Sequence, residues 1–85
     1  MEYVVFASKR FIKEFGKLPK NVQERIKERL EVLKRSPFAG LPLHGSLKGK
    51  YRIRVGDYRI IYMVSEKERR IYLLGVAHRK KVYDV

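Results

Sequence analysis

The residues best placed for chemistry lie in one run, Tyr51-Arg52-Ile53-Arg54-Val55-Gly56-Asp57-Tyr58-Arg59-Ile60-Ile61-Tyr62. Alternation is strict at its start: Tyr51, Ile53 and Val55 point to one side of a strand, Arg52 and Arg54 to the other. Gly56-Asp57 suits a two-residue hairpin turn, with the glycine supplying the positive φ. That turn sets a register in which Val55 faces Tyr58, Arg54 faces Arg59, Ile53 faces Ile60 and Arg52 faces Ile61. Arg52, Arg54 and Arg59 then share a face, with Arg54 and Arg59 directly opposed and their Cβ atoms about 5 Å apart. Like charges so placed destabilise a sheet, and neither strand offers a carboxylate to pair with them. Such a face is suited to holding a polyanion; the alternative is a solvated surface over which the arginine stems simply lie. Ile61 and Met63 continue it, either as a floor for a stacked base or as core beneath the tail.

A guanidinium stabilises negative charge but, with a pKa above about 12, does not accept a proton. Acid–base work falls to His78, whose ordinary pKa lies near neutrality and which adjoins Arg79. His44, in a Pro/Gly-rich loop, reads as a solvated loop residue. Metal-dependent nuclease chemistry needs clustered carboxylates, whereas Asp57, Glu66 and Glu68 are scattered over a turn and a loop. Cysteine is absent, which excludes disulfides and thiolate metal sites. Serine-nucleophile motifs, a P-loop and a dinucleotide fingerprint are absent too, and no cofactor is expected. What remains is metal-free cleavage of RNA through its own 2′-OH. That reaction needs a base for the hydroxyl, cations for the dianionic phosphorane and an acid for the leaving 5′-oxygen.

The composition agrees with an anionic partner. Twenty-one Lys+Arg against nine Asp+Glu give a formal charge of +12 on 85 residues. That excess repels itself in a compact domain, and nucleic acid is its commonest reason. Its basic part is the second half, where Lys48, Lys50, Lys80 and Lys81 extend the arginine set and tyrosines interleave with cations, a footprint suited to single-stranded RNA. Most of those tyrosines alternate with apolar residues and belong in the core; Tyr83, in the polar tail, is the one free for function. No apolar run reaches the roughly 20 residues of a membrane span, no signal peptide is recognisable, and a cytoplasmic location is expected.

The elements that must position these groups form a single domain, residues 1–85. Glu2 to Phe6 reads as a strand. Ser8 caps a first helix with Phe11, Ile12, Phe15 and Leu18 at helical spacing. Pro19 opens a second helix that runs to about Arg35, with a core stripe of Val22, Ile26, Leu30 and Leu33. Ser36 to Gly49 is a loop with a short strand near Ser46-Leu47. Strands follow at Tyr51–Val55, Tyr58–Val64 and Ile71–Ala77. The order βααβββ implies an α+β domain, an antiparallel α-hairpin packed on one face of a small, mostly antiparallel twisted sheet. The loop from Ser65 to Arg70 is too long to fix the last register, so spacing leaves open whether Arg79 reaches the hairpin.

The hairpin run, followed by Val76-Ala77-His78-Arg79-Lys80-Lys81-Val82-Tyr83, resembles the RelE/ParE toxin superfamily on its RelE side, and the Leu18-Pro19 junction fits as well. The resemblance implies a type II toxin that enters the ribosomal A site and cleaves mRNA through 2′-OH attack, without metal. It also implies a RelB-like antitoxin that wraps the toxin, in a heterotetramer or higher assembly. By position, Arg52 and Arg54 stand where relatives have lysines. Arg59 matches the arginine that contacts the scissile phosphate, Arg79 the C-terminal arginine and Tyr83 the C-terminal aromatic. Relatives with a His-Arg pair use the histidine in acid–base chemistry, which again implies His78. Two alternatives stand beside this reading: a ParE-type inhibitor of DNA gyrase, and a non-catalytic RNA- or ribosome-binding module.

Overall fold

The structure, a computed structural model, describes residues 2–81. Strand β1 (Val4–Ala7) leads into helices α1 (Lys9–Gly16) and α2 (Lys20–Arg35), then β2 (Leu41–Pro42), β3 (Tyr51–Val55), β4 (Tyr58–Ser65) and β5 (Arg70–His78). They form a five-stranded sheet in the order β1-β5-β4-β3-β2. β1 runs parallel to β5, and every other neighbouring pair is antiparallel.

The helix ends are set by identifiable side chains. Ser8 accepts a hydrogen bond from the Phe11 N–H at 3.0 Å, the N-cap expected of it, and donates its own hydroxyl to the Leu74 carbonyl at 3.1 Å. At the other end of α1, the Gln23 amide donates to the carbonyls of Phe15 and Leu18, at 3.0 and 3.1 Å. Carbonyls at the close of one helix are thus bound by a side chain of the next, which fixes the bend at Pro19.

Phe11, Ile26 and Leu33 bring the apolar helix stripes onto Ile53, Val55, Ile60, Tyr62, Ile71, Leu73 and Val76. All are buried, and burial of an aliphatic side chain of this size contributes about 1.5–3 kcal/mol. Among the described residues no helix is long and apolar enough to cross a membrane.

Two local expectations change, and one irregularity is new. β1 is shifted toward the C-terminus relative to Glu2–Phe6. The short strand placed near Ser46-Leu47 is instead a 3-10 turn, Gly45–Leu47, bracketed by positive φ at Gly45 (65°) and Gly49 (92°) that ends any extended run. The strand lies earlier, where Leu41 pairs with Arg52 and Pro42 with Tyr51. Proline is tolerated there because β2 is a sheet edge. Finally, β4 and β5 pair with an irregularity: Ile61 faces Gly75 while Tyr62 faces Leu73, leaving Leu74 extra.

Tyr62 ties the loop before β2 to the sheet. Its hydroxyl donates to the Pro37 carbonyl at 2.9 Å and accepts the Gly40 N–H at 3.0 Å. Burial pushes the phenol pKa up, the bond from Gly40 opposes that shift, and Tyr51 adds to it. The approach leaves no room at Gly40: a Cβ there would stand 2.6 Å from both the Arg52 carbonyl oxygen and the Tyr62 hydroxyl.

Candidate nucleic-acid interface

The hairpin has the register read from its turn: Arg52↔Ile61, Ile53↔Ile60, Arg54↔Arg59 and Val55↔Tyr58. Gly56 supplies the positive φ, 59°. Ile53, Val55, Ile60 and Tyr62 face the helices, so the even-numbered arginines of β3 and Arg59 of β4 fall on the outer face.

On that face lies an open cavity of about 390 Å³. Ile61 is its floor, only 2% exposed although it stands apart from the helix-side core. Leu43 and Leu47 contribute apolar wall, and Arg52, Arg59, Arg79, Lys80 and Lys81 supply five cations. Arg52 is half-buried, and its Nε is buried with no hydrogen-bond partner among the described residues. A buried donor without a partner is costly, so an acceptor arriving here is favoured.

The register of β5, which spacing left open, carries Arg79 to the hairpin. Tyr58 pairs with His78 and Arg59 with Ala77. The Arg79 N–H donates to the Asp57 carbonyl at 2.7 Å, and the Arg59 guanidinium donates to the Arg79 carbonyl. Beyond it the chain turns, the Lys81 N–H donating to the His78 carbonyl at 2.9 Å, which places Lys80 and Lys81 at the cavity.

Two of the expected site residues lie apart from the outer cavity. Arg54 opposes Arg59 in register, yet it lines a different groove, at the sheet edge beside Arg25, Glu28 and Arg29 of α2. Past Arg52 no described residue pairs with the free edge of β3, and a long side chain there has space to turn into the groove beside α2. His78 pairs with Tyr58 and so belongs to the helix-covered side of the sheet. Its ring meets Tyr58 edge-on at 5.5 Å, and its Nδ1 accepts the Lys80 N–H at 3.3 Å. It therefore does not join Arg52 and Arg59, because successive residues of a strand point to opposite faces.

Of the remaining candidates, Lys48 is exposed and Lys50 half-buried, and neither lines the outer cavity. Tyr83 lies outside the described residues. His44 is exposed. The residue that the sequence reading missed is Asp57. Its carboxylate lies 3.9 Å from the Arg79 Nε, so the arginine cluster has an acidic neighbour. Both side chains are half exposed, and the pair contributes at most about 1 kcal/mol. The signal was visible only as a turn residue; its acidic role depends on the β5 register. Leu43 and Leu47 carried no signal beyond being apolar in a loop.

Cations around an apolar floor, on the sheet face opposite two helices, mark out a small α+β domain with a cationic cavity. The chain belongs to the RelE/ParE toxin superfamily: residues 5–83 match the family described as ParE toxin of type II toxin-antitoxin system, parDE. It is a type II toxin of that superfamily. A relative from Methanocaldococcus jannaschii that carries the name RelE1 is 31% identical over 87 residues, spanning 98% of this chain and 97% of the relative. The fold superposes on the toxin–antitoxin complex RelBE2 from Mycobacterium tuberculosis with a TM-score of 0.87 at 28% identity, covering 93% of this chain and 100% of that one. The archaeal RelE–RelB complex from Pyrococcus horikoshii gives 0.78 at 32%, covering 96% and 100%.

Proposed function

We propose that this toxin cleaves mRNA on the ribosome by directing the RNA's own 2′-OH at the adjacent phosphate, without a metal. The observation that carries the reading is the outer cavity, where Arg52, Arg59 and Arg79 converge over the Ile61 floor. Phosphate oxygens arriving there replace the Arg79 carbonyl as acceptor for Arg59 and offer a partner to the Arg52 Nε. As the phosphorane gains its second negative charge, fixed guanidiniums stabilise it more than the ground state, which is the condition for acceleration. A face lined by permanent cations repels a divalent metal, and 2′-OH attack does not require one. Lys80 and Lys81 widen the cationic rim for flanking phosphates, with Lys48 and Lys50 outside it.

Proton transfer needs a group other than the arginines. His78 stands on the opposite face and does not fit that role in this arrangement. Tyr83 remains the proposed stacking and proton-transfer group. By analogy with the relatives solved as RelE–RelB complexes, a RelB-like antitoxin is the proposed cellular partner, in a heterotetramer or higher assembly, with both acting in the cytoplasm.

The ParE description of the matching family favours a second reading, inhibition of DNA gyrase by protein contact. Induction in cells, with mRNA 5′-ends and DNA damage mapped together, separates the two. Cuts inside translated codons support cleavage; a DNA-damage response without cuts supports the gyrase reading.

A further inference from the structure

Behind β5, on the α1 side, lies a second open cavity of about 370 Å³. It is not the arginine cavity seen from another angle, since His78 and Arg79 are consecutive and face opposite ways. Arg10, Lys13, Lys17 and Lys81 line it, with His78 at the strand end and Glu14 as its only carboxylate among the described residues. Glu14 is already engaged: one oxygen accepts the Val76 N–H at 2.9 Å and the other lies 3.3 Å from the Arg10 Nε. Its charge is therefore spent on the backbone and on Arg10. Lys13, Lys17 and Lys81 have no ion-pair partner among the described residues. Lys81 lines both cavities, so the two cationic surfaces meet around the end of β5.

We propose that this α1-side cavity is a second anion site, continuous with the first, which holds phosphates of the same RNA strand beyond the cleaved position. The inference rests on the RNA reading above and adds a path: the strand leaves the outer face, passes Lys81 and follows Lys13 and Lys17 along α1. Lysines suit this part of the path because they act as mobile point charges toward a backbone of varied sequence, whereas the converging arginines fix one phosphate. Leu18, Val76 and Ala77 supply its apolar lining.

The test is equilibrium binding of fluorescein-labelled 2′-O-methyl RNA, which cannot be cleaved, to the full chain over a range of salt. A trinucleotide reaches only the outer cavity; a dodecanucleotide reaches both. Lys13 and Lys17 are exposed, so the double variant Lys13→Gln/Lys17→Gln should fold. It is expected to bind the dodecanucleotide roughly tenfold more weakly, with a logarithmic salt slope shallower by about 1.4, the value for two lost phosphate contacts on a single strand. Trinucleotide binding is expected to stay within a factor of two (~2). Lys20→Gln/Lys27→Gln, on exposed positions of α2 outside both cavities, controls for net charge and should change little. The proposal is overturned if the α1 variant binds the long RNA as the native chain does, or loses the short one equally, or is matched by the α2 control. If the native chain binds neither RNA, the RNA reading falls with it; if the native chain binds both and the α1 variant binds the long RNA equally well, that reading stands without the path.

Discussion

Replacing Tyr62 by phenylalanine removes one oxygen and exposes how the loop before β2 is held to the sheet. The ring stays buried, so the hydrophobic contribution is retained. Two hydrogen bonds are lost, to the Pro37 carbonyl and from the Gly40 N–H. Pro37 is buried, so its carbonyl finds no ready water, while the half-buried Gly40 N–H is partly compensated. A buried group left unpaired costs about 1–3 kcal/mol and a partly rescued one about 1, so the expected loss is about 2–4 kcal/mol. In a domain of this size that lowers the melting temperature by about 10 °C or more. A pH signature accompanies it. The phenol pKa is raised by burial in the folded protein, so its neutral form is favoured there. That contribution is fully present below the unfolded value, about 10, and is lost as pH rises through the folded one. Urea denaturation of both proteins at pH 8 and pH 11 (about one unit above the free phenol) should show the native advantage shrinking in alkali. A variant as stable as the native chain, or a gap that does not narrow, refutes the reasoning.

Gly40→Ala forces a Cβ against the Arg52 carbonyl and the Tyr62 hydroxyl, and should cost about 1–3 kcal/mol by thermal melt. Glu14→Ala strips the acceptor from the buried Val76 N–H and should cost about 1–3 kcal/mol, with faster hydrogen exchange at that amide. Glu14→Gln keeps an acceptor oxygen and should recover most of that loss, which separates the hydrogen bond from the charge.

Much of the fold could be read from the sequence because its signals are local. The Arg/apolar alternation and the Gly56-Asp57 turn determine β3, β4 and their register without reference to the rest of the chain, and Ser8 and Pro19 mark the helix starts. The site was legible only so far as it is local. Arg52 and Arg59 were placed by that hairpin. Arg79 and His78 were not, because the face each takes depends on the β4–β5 pairing across a loop and past the extra Leu74. Counting from the turn cannot anticipate that irregularity; it follows from Ser8 and Glu14 binding the β5 backbone at Leu74 and Val76. The diversion of Arg54 likewise follows from the shortness of β2, which leaves the rest of β3 an open edge.

The central claim is that the outer arginine cavity, with the substrate's own 2′-OH, breaks the mRNA chain. Its most direct measurement is single-turnover cleavage on ribosomes carrying a defined mRNA codon in the A site, for the native chain, Arg52→Ala, Arg59→Ala and His78→Ala, and for mRNA with one 2′-deoxynucleotide at the cut. The account predicts no cut at the 2′-deoxy position, a fall of about 100-fold or more for each arginine variant, and a much smaller effect at His78. Full-rate cleavage by Arg52→Ala and Arg59→Ala, or cleavage of the deoxy-substituted message, would contradict it.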